Sequence, residues 1–336
     1  MLNWEIKKIL KDKSIIVALI LMIVSILIIS IFKPLLETQN EYFDESKKKI
    51  VIDNRSKEEI ANEKLGIKKE MIQSIIYSPD SDKTLKSISE EKLNLDNGHK
   101  YENVDFYKVF TERVDFSASI IIMMIIIVML ISNLYTDEVV ANVSPIILSS
   151  KQRNKALYSK IIIAILLPIV VYSVYIGATW LITYIQYGAP LNGNLQSYRI
   201  IDAAMIAKPM TINQYALSKI ITTTLILLGV STVSLLVSFL SDNSVKSISL
   251  SAGFIAIGKI LTKFNFLPKE ILSLLGQGNY IDVITGPIKI LGFYNGQIDI
   301  LSKTVDISNL IIMIYALIVI IGLLGCIYTI KKVLTK

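Results

Sequence analysis

Cysteine and histidine, two of the side chains most often used for covalent and metal chemistry, are almost missing from this chain. It has one cysteine, Cys326, and one histidine, His99, in 336 residues. One of each builds no disulfide, no Cys/His metal cluster and no nucleophilic dyad. No G-x-x-x-x-G-K-[ST] stretch occurs, so nucleotide phosphates have no P-loop to sit in. Gly276-Gln277-Gly278 lacks the third glycine and the preceding strand of a dinucleotide site. HExxH and GxSxG are missing, and carboxylates are too scarce in the apolar runs to form the facing acids of an aspartyl protease. Any chemistry must be supplied by another chain. What remains is three lysines in apolar surroundings, Lys219, Lys259 and Lys263. Ionisable groups at membrane depth are costly and often functional, although long stems let lysines snorkel to the surface. Lys259 sits deepest, and is the candidate for lining a translocation path.

The element that must position these residues is a membrane. The chain is 52% hydrophobic and 19% charged, with a mean hydropathy of +0.55, too apolar for a soluble chain of this length. A helical span needs about 20 mostly apolar residues. Six stretches qualify: 14–32, 116–135, 161–185, 215–240, 248–267 and 310–328. The first is followed by Phe32-Lys33-Pro34 and not by a small-residue cleavage site, so it reads as a retained anchor. The expected fold is an all-α integral membrane protein of six transmembrane helices.

Charge sets the expected orientation. The N-terminus, the loop at 136–160, the turn at 241–247 and the tail at 329–336 carry twelve basic and five acidic residues, whereas 33–115 carries fifteen basic and eighteen acidic. The positive-inside bias therefore puts both termini in the cytoplasm and 33–115 outside the cell. With the net charge of +7 explained in this way, nucleic-acid binding has no place.

Within this frame, residues 1–13 predict an amphipathic helix lying on the inner leaflet, with Leu2, Ile6, Ile9 and Leu10 on one face, Lys7, Lys8 and Lys11 on the other, and Trp4 at the interface. The external block predicts a small, mainly helical insertion without strands. Ser56-Lys57-Glu58-Glu59 fits a capping box, and the helix it opens carries Ile67, Met71 and Ile75 on one stripe with Ile72 and Ile76 beside it, stopping before Ser78-Pro79. A second helix, from Val104 through Phe106, Phe110 and Val114, is expected to run straight into the second span. At 83 residues the block is marginal as an independent fold. Residues 186–214 form an outer loop with Gly188, Pro190 and Gly193 as turn formers. The apolar runs at 268–309, broken by Gly276, Gly278, Gly286, Pro287 and Gly292, are too short to span and suit re-entrant or interfacial helices.

The loop Glu138–Lys160, EVVANVSPIILSSKQRNKALYSK, places an apolar Ile146-Ile147-Leu148 patch among cations. Inner-leaflet anchoring explains Lys151, Lys155 and Lys160 but leaves the patch unexplained, and an exposed apolar patch marks a docking surface. The order of an acid (Glu138), a small polar residue (Asn142), an aliphatic-Ser run (Ile146 to Ser150), Arg153 and Lys160 resembles the first cytoplasmic loop of permeases of the type-2 ATP-binding-cassette exporter family. Asn142 stands where that family has glycine, and Pro145 is not typical of it. Elsewhere the resemblance is architectural: an amphipathic first helix, six spans, and short outer helices between the fifth and sixth.

The resemblance implies a non-catalytic permease that pairs with a second permease subunit and binds a separate ATP-binding-cassette ATPase, which would hold ATP and magnesium. Its loop would be a coupling helix, with Glu138 and Arg153 tying it together, Ile146, Ile147 and Leu148 filling a groove in the ATPase, and Lys151 and Lys155 facing acids there. Membrane lipids are the remaining partner. The Ile- and Lys-rich composition is similar to that of low-GC Gram-positive bacteria, whose related permeases export antimicrobial peptides or confer immunity to them, so a hydrophobic or amphipathic cargo moved across the cell membrane is expected. Export of drugs, lipids or sodium, and a membrane sensor or scaffold with an extracellular ligand-binding domain, are the alternatives.

Overall fold

The computed structural model describes residues 1–44, 48–96, 100–201, 208–264, 267–286, 288–291, 293–300 and 303–334. His99, Pro287 and Gly292 lie outside the described residues. Among the described residues six helices are long and apolar enough to cross a membrane and two short hairpins are the only sheet, as in an all-α multi-pass membrane protein.

Helix α1 (Leu2–Lys11) ends at Asp12, whose extended backbone (ψ 141°) turns the chain and whose carboxylate accepts the Ser14 N–H at 2.7 Å. One residue thus stops α1 and caps α2 (Lys13–Ile31), an arrangement open to Asp because its side chain can accept from the second or third residue of the new helix. Helix α2 buries Ala18, Ser25 and Ile29 and turns Leu19, Ile23 and Leu27 outward. Leucines and isoleucines facing outward mark a lipid-facing helix.

The insertion follows. Strands β1 (Glu41–Asp44) and β2 (Lys49–Ile52) form an antiparallel hairpin where no strand is expected. Helix α3 (Lys57–Tyr77) opens on the Ser56/Glu59 capping box and stops at Ser78, held extended by the proline after it. Its buried face is Ile60, Ala61, Leu65 and Ile72, while Ile67 and Met71 of the expected stripe are exposed. Helix α4 (Lys83–Leu95), capped by Asp82, is too polar to stand out by periodicity. Helix α5 (Asp105–Val114) does not run straight into the span: Asp115 and Phe116 leave helical geometry before α6 (Ser117–Val140) begins.

Helix α7 (Ser144–Ser149) is a single short turn, and α8 (Arg153–Tyr187) runs 35 residues through Pro168 to a Gly188 cap at φ +84°. Because α8 starts at Arg153, the connection expected at 136–160 is reduced to 141–152. A 3₁₀ turn (Ser197–Arg199) precedes α9 (Ile212–Phe239), which Thr211 and Gln214 open with a second capping box. Helix α10 (Ser244–Leu261), short helices α11 (Lys269–Gly278), α12 (Tyr280–Thr285) and α13 (Ile288–Leu291), the hairpin β3 (Gln297–Ile300) and β4 (Lys303–Asp306), and α14 (Ile307–Thr329) complete the chain, with a π turn at Ile330–Leu334.

Helix α9 lies at the centre, against α6, α8 and α14. Lipid tails compete with apolar packing, so close approach and interhelical hydrogen bonds matter more here. A Cβ on Gly322 of α14 would come within 2.6 Å of Thr232 Oγ1 on α9, so the contact needs glycine. The Ser231 hydroxyl donates to Ala164 O at 2.6 Å and Ser238 to Ser132 O at 2.8 Å, joining α9 to α8 and α6. Ser14 at the start of α2 meets Asn133 near the end of α6, and Thr183 near the end of α8 meets Arg113 just before α6, so these three helices alternate in direction, with the insertion at one end and the 141–152 loop at the other.

Candidate functional site

The loop end is built from the termination of α6. The Asn142 N–H donates to Val139 O at 3.0 Å and the Val143 N–H to Glu138 O at 2.9 Å, with Asn142 in the left-handed region at φ +55°. This is a Schellman stop, which takes glycine first and asparagine second at its left-handed position. The departure from glycine is therefore conservative in backbone terms. Pro145 lies in the first turn of α7, where its missing N–H has no helical partner to lose. At the far end the Ser149 and Ser150 hydroxyls donate to Ile146 O and Ile147 O. The loop is a defined turn–helix–turn.

Side-chain placement differs from the expected patch. Ile146 is 69% exposed, and Val143 and Val140 stand out beside it, whereas Ile147 is half-buried and Leu148 packs against the main core. A single helical turn cannot present three consecutive residues to one side, so the exposed stripe is Val140, Val143 and Ile146. Leu240 and Val245, on the α9–α10 turn, are also exposed. That turn abuts α6 through the Ser244 and Thr136 hydroxyls, 2.8 Å apart. Lys151 and Lys155 are exposed and Arg153 is half-buried.

Glu138 is not tied to Arg153. Its carboxylate receives Lys160 at 2.6 Å and Lys8 at 3.0 Å. Lys160 also donates to both Glu5 oxygens and to Leu134 O, each at 3.0 Å. Glu5 and Lys160 are fully buried and Glu138 nearly so. Arg153 stands almost two helical turns before Lys160, and Lys160 is the residue of α8 that faces α6. Burial pushes the Glu5 carboxyl above the usual glutamate range, against the pull of Lys160. Two acids and two cations thus clamp α1, α6 and α8 beneath the loop. Sequence reading missed Glu5 and the pairing role of Lys8. The available signal was a lone acid on the apolar side of α1.

Lys259 pairs with Asp282 of α12 at 2.6 Å and is 39% exposed. Of the three candidate lysines the deeply buried one is Lys219, which binds Asp115 at 2.9 Å and Thr111 O at 2.8 Å, at the break between α5 and α6. Lys263 is exposed. Among the described residues no group of three or more His, Cys, Asp or Glu side chains could hold a metal ion.

Compared with family models, curated proteins and solved structures, the chain matches none.

Proposed function

We propose that this chain is the membrane-spanning permease subunit of an ATP-driven exporter, and that residues 140–155 dock a separate ATPase subunit. The observation that carries this reading is an exposed Val140–Val143–Ile146 stripe on a Schellman turn that stands over a buried ion-pair clamp. An apolar stripe ringed by Lys151 and Lys155 suits a partner groove with an acidic rim. The loop is continuous with α6 and α8 and clamped to α1, so force applied to it reaches three helices together. In this reading the loop end faces the cytoplasm, where Lys7, Lys11, Lys13, Lys246, Lys331 and Lys332 also gather.

The cargo is a hydrophobic or amphipathic molecule, of which an antimicrobial peptide is one. What supports this is a cavity of about 450 Å³ between α6, α10 and α12, lined by Met124, Val128, Met129, Ile255 and other apolar side chains with Thr285. A second permease subunit completes the path.

The test is co-expression with a candidate ATP-binding-cassette ATPase subunit, followed by affinity capture. Ile146→Asp and Arg153→Glu are each expected to lose the ATPase while the permease stays folded. Capture unchanged in both variants would remove the docking role.

A further inference from the structure

Helix α1 has three faces with different surroundings. Leu2, Glu5 and Ile9 face the protein. Trp4, Lys7 and Lys11 face outward. Ile6 and Leu10, 39% and 62% exposed, form the rim of a groove of about 390 Å³ that continues between α2 and α8 past Leu19, Met22, Leu166 and Val170. Every side chain lining this groove is apolar. Its walls belong to membrane-spanning helices and its rim to a helix rich in cations, so one end is oily and the other charged.

The groove by itself would take any acyl chain. Selection among lipids would fall to charges on the neighbouring outward face of α1, where Lys7 and Lys11 lie one turn apart, exposed, with no carboxylate partner among the described residues. A second hollow of about 450 Å³ lies on their side of α1, lined by Trp4, Lys7, Lys8, Lys11 and Asp12. Lys8 is held by Glu138, and Asp12, which caps α2 through the Ser14 N–H, is the one acid of this lining, against Lys7 and Lys11, which pair with no carboxylate among the described residues.

We infer that α1 and this groove form a binding site for an anionic phospholipid, with an acyl chain lying along the groove and the phosphate held by Lys7 and Lys11. The site stands whether or not the chain is an exporter. Its consequence reaches the loop, because Glu5 and Lys8 on the same helix hold Lys160 and Glu138. A lipid that fixes α1 also steadies the end of α6 and the start of α8.

The experiment uses the full-length protein in detergent, with native mass spectrometry counting retained dioleoyl phosphatidylglycerol against dioleoyl phosphatidylcholine. Wild type is expected to prefer the anionic lipid, and removing each lysine lowers that preference by about fivefold, the effect of one cation near an anionic lipid surface. Lys7→Gln/Lys11→Gln then approaches parity, while Lys7→Arg/Lys11→Arg keeps the preference. Val170→Phe, which fills the groove at an exposed position, reduces retention of both lipids. Equal retention by wild type, a preference unchanged in the double Gln variant, or retention of both lipids unchanged in Val170→Phe would overturn the site. Glycerol 3-phosphate bound as tightly as the phospholipid would overturn the lipid assignment.

Discussion

The Lys160 ammonium lies 2.6 Å from the Glu138 carboxylate, with both side chains withdrawn from solvent and Glu5 closing the cluster from a helix 155 residues away in sequence. A buried ion pair adds little over a well-packed apolar substitute, but breaking one strands a charge. Lys160→Met alone is therefore expected to destabilise the protein by about 3–5 kcal/mol. Adding Glu5→Gln and Glu138→Gln should recover part of that loss. Thermal unfolding of the single and triple variants in detergent measures both, and a single variant as stable as wild type would remove the clamp from the account.

Asn142 tests the turn. At φ +55° a glycine fits and a β-branched residue does not. Asn142→Gly should leave stability and ATPase capture within about 0.5 kcal/mol of wild type, whereas Asn142→Val should cost about 1–3 kcal/mol in strain and weaken capture. Equal behaviour of the two variants would show that the turn does not set the loop.

Ile146 and Leu148 are two residues apart but belong to different surfaces. Ile146→Asp places a charge where the side chain is already 69% exposed, so thermal stability should stay within about 0.5 kcal/mol while partner capture falls. Leu148→Asp puts the charge against the core and should lower stability by more than about 2 kcal/mol. A reversed order of the two thermal shifts would contradict the assignment of faces.

Lys92 on α4 is buried and has no hydrogen-bond acceptor among the described residues, its ammonium lying 5.3 Å from the Tyr198 ring centre. Burial holds its pKa down to about 8, against an ordinary value of 10.5. The unfolded chain therefore binds the proton more tightly than the folded one, and the insertion gains stability as pH rises from about 8 towards 10.5. Lys92→Met should raise stability by roughly 1–3 kcal/mol at neutral pH and flatten this slope. Thermal unfolding of wild type and variant, measured across that pH range, reads the effect. A slope that persists in the variant would assign it to another group.

The elements that depend on short-range pattern were legible in the chain itself. Six apolar stretches, an amphipathic first helix, the Ser56/Glu59 capping box and the broken segment before the last span each follow from length, periodicity or capping chemistry within a few residues. The turn at Asn142 was half legible: its position in the loop was readable, and its left-handed backbone explains why asparagine serves there.

Pairing across the chain was not legible, because a lone acid or lysine carries no mark of its partner. Glu5 meets Lys160, Asp115 meets Lys219 and Asp282 meets Lys259 only once the helices are placed side by side. The same holds for faces. Helix α3 carries apolar residues on more than one side, and it buries Leu65 and Ile72 because Tyr198 arrives there from a distant turn. Ile146 points outward because it lies about 200° around the helix from Leu148, the residue that packs against the core. Local sequence determined which segments are helical and membrane-spanning. Only tertiary packing decided which charges neutralise one another and which apolar side chains stay exposed, because burial and ion pairing depend on neighbours that lie from 22 to 155 residues away in sequence.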